Sequence, residues 1–144
     1  MLSKKAKYAI HAMLRLAKER ASGPVPIGEI AEKENIPHKF LEAILVELKN
    51  SGFISSKKGR SGGYYLRQHP DEINLADIHR IIDGAIGLLP CVTYNYYERC
   101  EECKHEETCT IRKAMKEVRD ETVHILKRYN LTRLLEQEEF LKEL

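Results

Sequence analysis

The sequence predicts a mainly α fold carrying one small β-hairpin, a winged helix-turn-helix extended by a long carboxy-terminal dimerisation helix. Three observations predict it. Two apolar-periodic segments, residues 27–35 and 37–48, flank a tight connection, the pattern of a helix-turn-helix. Directly after Gly52 the period shortens to that of two strands around a basic, glycine-rich tip. From Thr110 onward apolar residues recur at alternating spacings of four and three, the stripe of a coiled-coil-like helix.

Each element has its own signal. Residues 3–20 open on Ser3, suited to an N-cap, and place Tyr8, Ile10, Ala12, Met13, Leu14, Leu16 and Ala17 around one broad face. Ala21-Ser22-Gly23-Pro24 breaks that helix, and a short second one starts at Ile27 and ends near Asn35. Pro37 sits where the first turn of a third helix accepts it, and Phe40, Leu41, Ile44, Leu45 and Leu48 supply the stripe as far as Gly52. Residues 53–57 and 64–66 read as strands around the tip Lys58-Gly59-Arg60-Ser61-Gly62-Gly63. Residues 74–83 form a fourth helix with Leu75, Ile78, Ile81 and Ile82 apolar, ended by Gly84 and Gly87. A final short helix spans residues 131–144 and caps the assembly.

Composition bounds the function. At 144 residues, 42% hydrophobic and 32% charged, the chain has enough material for one core and is neither collagen-like nor a disordered tail. No apolar run is long enough for a bilayer and no cleavage site follows the amino-terminal lysines, so a cytoplasmic protein with no membrane association is expected. There, four cysteines read as metal ligands or reactive thiols before structural disulfides. The net charge of +2 hides an asymmetry: residues 1–70 carry 13 Lys and Arg against 6 Asp and Glu, the remainder 11 against 16. A basic first half suggests a polyanion-binding module joined to a segment with another task.

In a winged helix the third helix enters a major groove while the wing meets backbone or minor groove. Lys58 and Arg60 supply charge at the tip, and the surrounding glycines permit close approach. All four cysteines, Cys91, Cys100, Cys103 and Cys109, fall in the segment between the fourth helix and the long helix. Four soft thiolates so close together favour zinc or an iron-sulfur cluster over hard cations.

Tyr8-Ala9-Ile10, Ile36-Pro37-His38-Lys39-Phe40-Leu41-Glu42, the wing from Lys58 to Leu66, and Ile73-Asn74-Leu75-Ala76-Asp77-Ile78, in this order, resemble the Rrf2 family of winged-helix transcriptional regulators. Its members include iron-sulfur, nitric-oxide-responsive and cysteine-metabolism regulators. The resemblance implies a homodimer on double-stranded DNA with a roughly palindromic operator. It implies that Glu42 matches a base-reading glutamate and Lys58 a wing arginine, with His38 and Lys39 beside the former and Arg60, Ser61 and Gly62 beside the latter. Lysine at position 58 lacks the planar fork of arginine. The dimer stripe would be Ile111, Met115, Val118, Thr122, Ile125 and Tyr129.

The spacing of Cys91, Cys103 and Cys109 resembles the three-cysteine loop of cluster-binding members. Their fourth ligand, a histidine three residues beyond the last cysteine or an aspartate in the partner's first helix, is replaced here by Arg112 and Lys7. Cys100 is the substitute, which implies an all-cysteine 2Fe-2S or 4Fe-4S cluster; His105 and His11 are not expected to ligate. The acids Glu98, Glu101, Glu102, Glu106 and Glu107 make the segment negative, either disfavouring a reduced cluster or forming a solvated face. The expected organisation is a DNA-binding unit at residues 1–84, a sensor loop at 85–110 and a dimerisation helix with its cap at 111–144.

Three alternatives stay open. A same-fold regulator could instead hold zinc or form a Cys100–Cys103 disulfide. A protein-interaction module is compatible with the same scaffold, leaving a protein partner possible. A thiol oxidoreductase is disfavoured, because the two-residue spacing of Cys100 and Cys103 does not head a helix after a strand. No enzymatic activity is expected.

Overall fold

The computed structural model describes residues 2–144. Helix α1 spans Lys4–Lys18, capped by the Ser3 hydroxyl, which accepts from the Ala6 amide at 2.9 Å. Its inner face consists largely of small residues, Ala6, Ala9 and Ala12, with Met13 and Leu16, all buried. That smoothness lets α1 serve as the central strut. Helix α2 (Ile27–Lys33) and α3 (His38–Asn50) follow, joined through Asn35, whose φ of 51° turns the chain in the left-handed region that asparagine tolerates. Pro37 stands at the N-cap, one residue ahead of the first turn expected to hold it.

Strands β1 (Ile54–Lys57) and β2 (Gly63–Leu66) pair antiparallel with Ile54 opposite Leu66 and Lys57 opposite Gly63. The register buries Ile54 and Leu66 and turns Ser55, Lys57 and Tyr65 to the opposite face. Helix α4 (Leu75–Ile82) begins under an Asn74 cap. After an irregular segment come α5 (Thr110–Arg128) and α6 (Leu131–Lys142), the latter capped by Asn130.

One core joins the two ends of the chain. Leu16, Leu41, Ile44, Leu45, Leu48, Ile54, Ile73, Ile78 and Leu131 form a single buried cluster. A two-residue bridge locks Leu131 in place: Leu75 donates to the Tyr129 carbonyl at 3.0 Å, and Leu131 donates to the Ile73 carbonyl at 2.9 Å. Lys18 pairs with Glu138 at 2.8 Å. Helix α6, expected as a cap, therefore returns to pack on α1, while α5 leans on α4. At about 28 Å, α5 is the longest element.

Candidate nucleic-acid interface and cysteine-rich segment

The opening turns of α3 are solvent-facing. His38, Lys39 and Glu42 are exposed, and His38 Nδ1 lies 3.2 Å from Glu42 Oε1 across one helical turn. The exposed ring of Phe40 meets Tyr8 edge-on, centroids 6.4 Å apart, anchoring this face to α1. At the wing, Lys58, Arg60 and Ser61 are exposed as expected. Gly62 is not: it is buried, its amide donates to the Gly59 carbonyl at 3.1 Å, and a Cβ there would stand 2.2 Å from the Lys57 carbonyl oxygen. Gly62 shapes the wing and presents nothing outward. No acid occurs between Glu47 and Asp71, a stretch that holds Lys49, Lys57, Lys58, Arg60 and Arg67.

Helix α5 has two faces. Ile111, Val118 and Ile125, seven residues apart, are 64%, 41% and 43% exposed. Met115 is half-buried between them and Thr122 is exposed, its hydroxyl donating back to the Val118 carbonyl. Tyr129 does not continue this stripe, because the helix ends at Arg128 and Tyr129 is its non-helical C-cap, covered by the Arg133 guanidinium 4.5 Å from the ring centre. Val118 and Thr122 also line a groove of about 400 Å³ with Leu2, His79, Leu88 and Leu126.

The inner face of α5 organises the cysteines through Arg112, which the sequence marks only as a non-ligand, and Arg119, which it does not single out. Cys91 is buried in a single 3-10 turn, Pro90–Val92, and Cys109 is the N-cap of α5. Arg112 ties the two together: its amide donates to Cys109 Sγ at 3.4 Å and its Nε to the Cys91 carbonyl at 3.3 Å. One helical repeat on, Arg119 is only 7% exposed. Its guanidinium lies 4.1 Å from the centre of the Tyr94 ring and donates to the Val92 carbonyl and to Asp120 at 2.7 Å. Arginines on an amphipathic helix ordinarily read as solvated. The available signal was their seven-residue spacing, offset from the apolar stripe.

Cys100 and Cys103 sit on an exposed turn in which the Cys103 amide donates to the Cys100 carbonyl at 3.1 Å. The Cys100 thiol donates to the Glu102 carboxylate at 3.0 Å, which holds the thiol above its ordinary pKa and the carboxyl below its own. Arg99 braces the turn through the carbonyls of Cys103 and Lys104, both at 3.2 Å. All four thiols are unbridged. Among the described residues no three His, Cys, Asp or Glu side chains are arranged to hold a metal, so the four cysteines share a segment without converging on one point. The donor set itself, four thiols, suits a soft metal or cluster. His11 Nδ1 faces Glu34 at 3.6 Å on the other side of α1, and His105 is exposed.

Asp83 fixes the start of α1 to the end of α4. It accepts from the Ser3 amide at 3.0 Å and from the Ser3 hydroxyl, and lies 3.3 Å from His79 Nδ1. Burial alone raises its pKa, but the Ser3 hydrogen bonds and the His79 charge outweigh that and leave it below the ordinary carboxylate value.

The Rrf2 family profile, described as an iron-dependent transcriptional regulator, matches residues 2–137. An HTH-type transcriptional regulator described as rrf2-like from Rhodobacter capsulatus is 42% identical over 121 residues, 82% of this chain and 81% of its own. The HTH-type transcriptional regulator CymR of Bacillus subtilis is 36% identical over 121 residues, 84% of each chain. The solved structure of CymR, titled the global cysteine regulator of that organism, superposes with a TM-score of 0.76 over 93% of this chain and 95% of that one, at 29% identity. The regulator IscR of Photorhabdus laumondii is 29% identical over 140 residues, 97% of this chain and 82% of its own. Among the described residues no helix is long and apolar enough to cross a membrane.

Proposed function

The chain belongs to the Rrf2 family of transcriptional regulators, and from that premise we propose that it is a homodimeric repressor or activator that binds a palindromic DNA operator and responds to the state of its cysteine-rich segment. The observation that carries the DNA-binding half is an acid-free basic wing beside the exposed opening turns of α3. Glu42, steered by His38, accepts from a cytosine amino group in the major groove. Lys39, Lys58, Arg60 and Ser61 hold phosphates and fix register. The exposed Ile111, Val118 and Ile125 stripe buries against a second copy, spacing the two heads about one helical turn of DNA apart or a multiple of it.

The sensor reading rests on the chemistry of the donor set and on the mechanical position of the segment. Cys91, Cys100, Cys103 and Cys109 would hold an iron-sulfur cluster, which supplies a redox-active centre when bound. To ligate, Cys100 must release its proton and leave Glu102. The start of the segment is pinned to α5 twice, by Arg112 at Cys91 and by Arg119 at Val92, and its end, Cys109, is the N-cap of that helix. Rearrangement of residues 94–108 therefore acts on the helix that sets the spacing of the reading heads. A coupling of about 1 to 3 kcal/mol between the two sites changes operator affinity about 5- to 150-fold.

The unconverged thiols and the likeness to CymR favour a second reading, a thiol switch between Cys100 and Cys103 or a structural zinc on the same scaffold. Iron, zinc and acid-labile sulfide content of anaerobically purified protein decides between them. Iron with matching sulfide supports the cluster, and zinc or no metal supports the alternative. We assign the chain no enzymatic role; the related proteins named above are all transcriptional regulators.

A further inference from the structure

Four cations of the amino-terminal half are neutralised. Lys5 pairs with Glu47, Arg15 with Glu34 and Glu19, Lys18 with Glu138, and Lys33 with Glu29 and Glu19. Among the cations outside these pairs, Lys57, Lys58 and Arg60 lie together on the wing. Arg20, on the 3-10 turn that follows α1, lines an open hollow of about 450 Å³ with Ser56, Lys57 and Tyr65 on the flank of the hairpin. Two features build this hollow. The Val25 and Tyr64 amides and carbonyls exchange hydrogen bonds at 2.8 Å, laying the segment after α1 along β2. The antiparallel register then turns Lys57 and Tyr65 to the face opposite the buried Ile54 and Leu66.

The charge pattern is one-sided. The hollow is lined by two cations and a phenol and by no carboxylate. The acid nearest to Arg20 in sequence, Glu19, is occupied by Arg15 and Lys33, each at 3.3 Å. A third cation, Lys49, reaches the same edge by donating to Ser56 Oγ at 2.7 Å. Lys57 leads directly into Lys58 and Arg60, so the patch is continuous with the wing tip. An exposed concentration of positive charge without an acid partner, beside the Tyr65 and Ser56 hydroxyls, is the chemistry of a backbone-phosphate site.

We infer that Arg20, Lys57 and Tyr65 form a second phosphate-contact site on the flank of the wing, which grips the DNA backbone flanking the half-site that α3 and the wing tip engage. The inference rests on the DNA-binding reading and extends it outward: operator affinity includes a sequence-independent contribution from flanking duplex, and the wing is held from two sides.

The test compares wild type with the R20Q/K57Q double variant and with K58Q/R60Q as a control at the tip. Probes are duplexes selected from a random pool by the wild-type protein, one with flanking base pairs and one trimmed to the two half-sites. Affinity is followed by fluorescence anisotropy against salt. Both substituted side chains are exposed, and unchanged thermal unfolding confirms that the double variant is folded. The expected result is that R20Q/K57Q lowers the slope of log affinity against log salt by about 1.8, two contacts at about 0.9 each, and weakens binding about tenfold or more at 0.1 M salt. The loss is uniform across base substitutions in the half-sites, and the double variant no longer distinguishes the flanked from the trimmed duplex. An unchanged slope with intact sensitivity to K58Q/R60Q overturns this inference and leaves the DNA-binding reading standing. A loss confined to one base-pair position also overturns it, because that is base reading. Failure of wild type to select or bind any duplex removes both.

Discussion

Replacing Arg119 with methionine isolates what the buried guanidinium does, because methionine keeps the apolar stem and the helix propensity while removing the charge and its donors. In the native protein the guanidinium makes a charge-assisted bond to the Val92 carbonyl and covers Tyr94 at 4.1 Å. The first contributes about 1.5 to 3 kcal/mol. The second adds about 0.5 to 1 kcal/mol at an exposed ring. The bond to the exposed Asp120 carboxylate adds less than about 1 kcal/mol and is discounted for screening. Relief of guanidinium desolvation offsets part of this sum, leaving a net loss of about 2 kcal/mol. For a chain of this size that lowers Tm by about 4 to 8 °C, measured by circular dichroism. Amide hydrogen exchange carries the sharper signature: protection falls at Val92, Thr93 and the following segment while the amides of α3 keep theirs. A double-mutant cycle with Tyr94→Leu should give a positive coupling of about half a kilocalorie or more. An R119M protein with unchanged Tm and unchanged exchange at residues 92–97 refutes the assignment of Arg119 as the pin between this segment and α5.

Three further perturbations bear on the reading surface, the dimer and the start of α1. Gly62→Ala forces a Cβ to 2.2 Å from the Lys57 carbonyl oxygen, so the wing turn must open; DNA affinity by anisotropy should fall at least about tenfold, a cost of about 1.4 kcal/mol, while the helical signal is kept. Val118→Glu or Ile125→Glu places a charge in the exposed α5 stripe and should convert dimer to monomer in sedimentation equilibrium, with Ile111→Glu additive. Asp83 has a folded-state pKa depressed below its ordinary 3.8, so the stability it contributes is present above that value and is lost as pH falls through the folded pKa. Asp83→Asn should therefore lower Tm near neutrality, and the gap to wild type should close as the pH falls below that ordinary value.

The legible parts of the sequence were those governed by local rules. Ser3 caps α1 as its position predicts, its side chain accepting from an amide three residues on, and the period change after Gly52 marks the hairpin; the Asn74 and Asn130 caps emerge only in the structure. The reading positions of α3 and the wing tip were implied by the family resemblance, and they are exposed. What escaped is non-local. Leu131 enters the core because the Asn74 and Asn130 backbones pair across more than fifty residues, and nothing in the periodicity of α6 signals that return. Arg112 and Arg119 turn inward because they find carbonyls and an aromatic ring contributed by a different segment. Gly62 was assigned to the DNA face with its neighbours, whereas the crowding of the Lys57 carbonyl turns it inward. Tyr129 fitted the spacing of the stripe, but the bond from Leu75 to its carbonyl ends the helix one residue before it.

In the proposed function the state of the cysteine-rich segment is coupled to operator affinity through α5. The most direct measurement is the affinity of one selected operator duplex for three preparations of the same protein: anaerobically reconstituted with iron and sulfide, reduced and metal-free, and oxidised. At least two of the three are expected to differ by about 5- to 150-fold, and R119M to narrow the difference because one of the two arginine bonds fastening the segment to α5 is gone. Equal affinities in all three preparations would contradict it, leaving a DNA-binding regulator whose cysteines do not report to its reading heads.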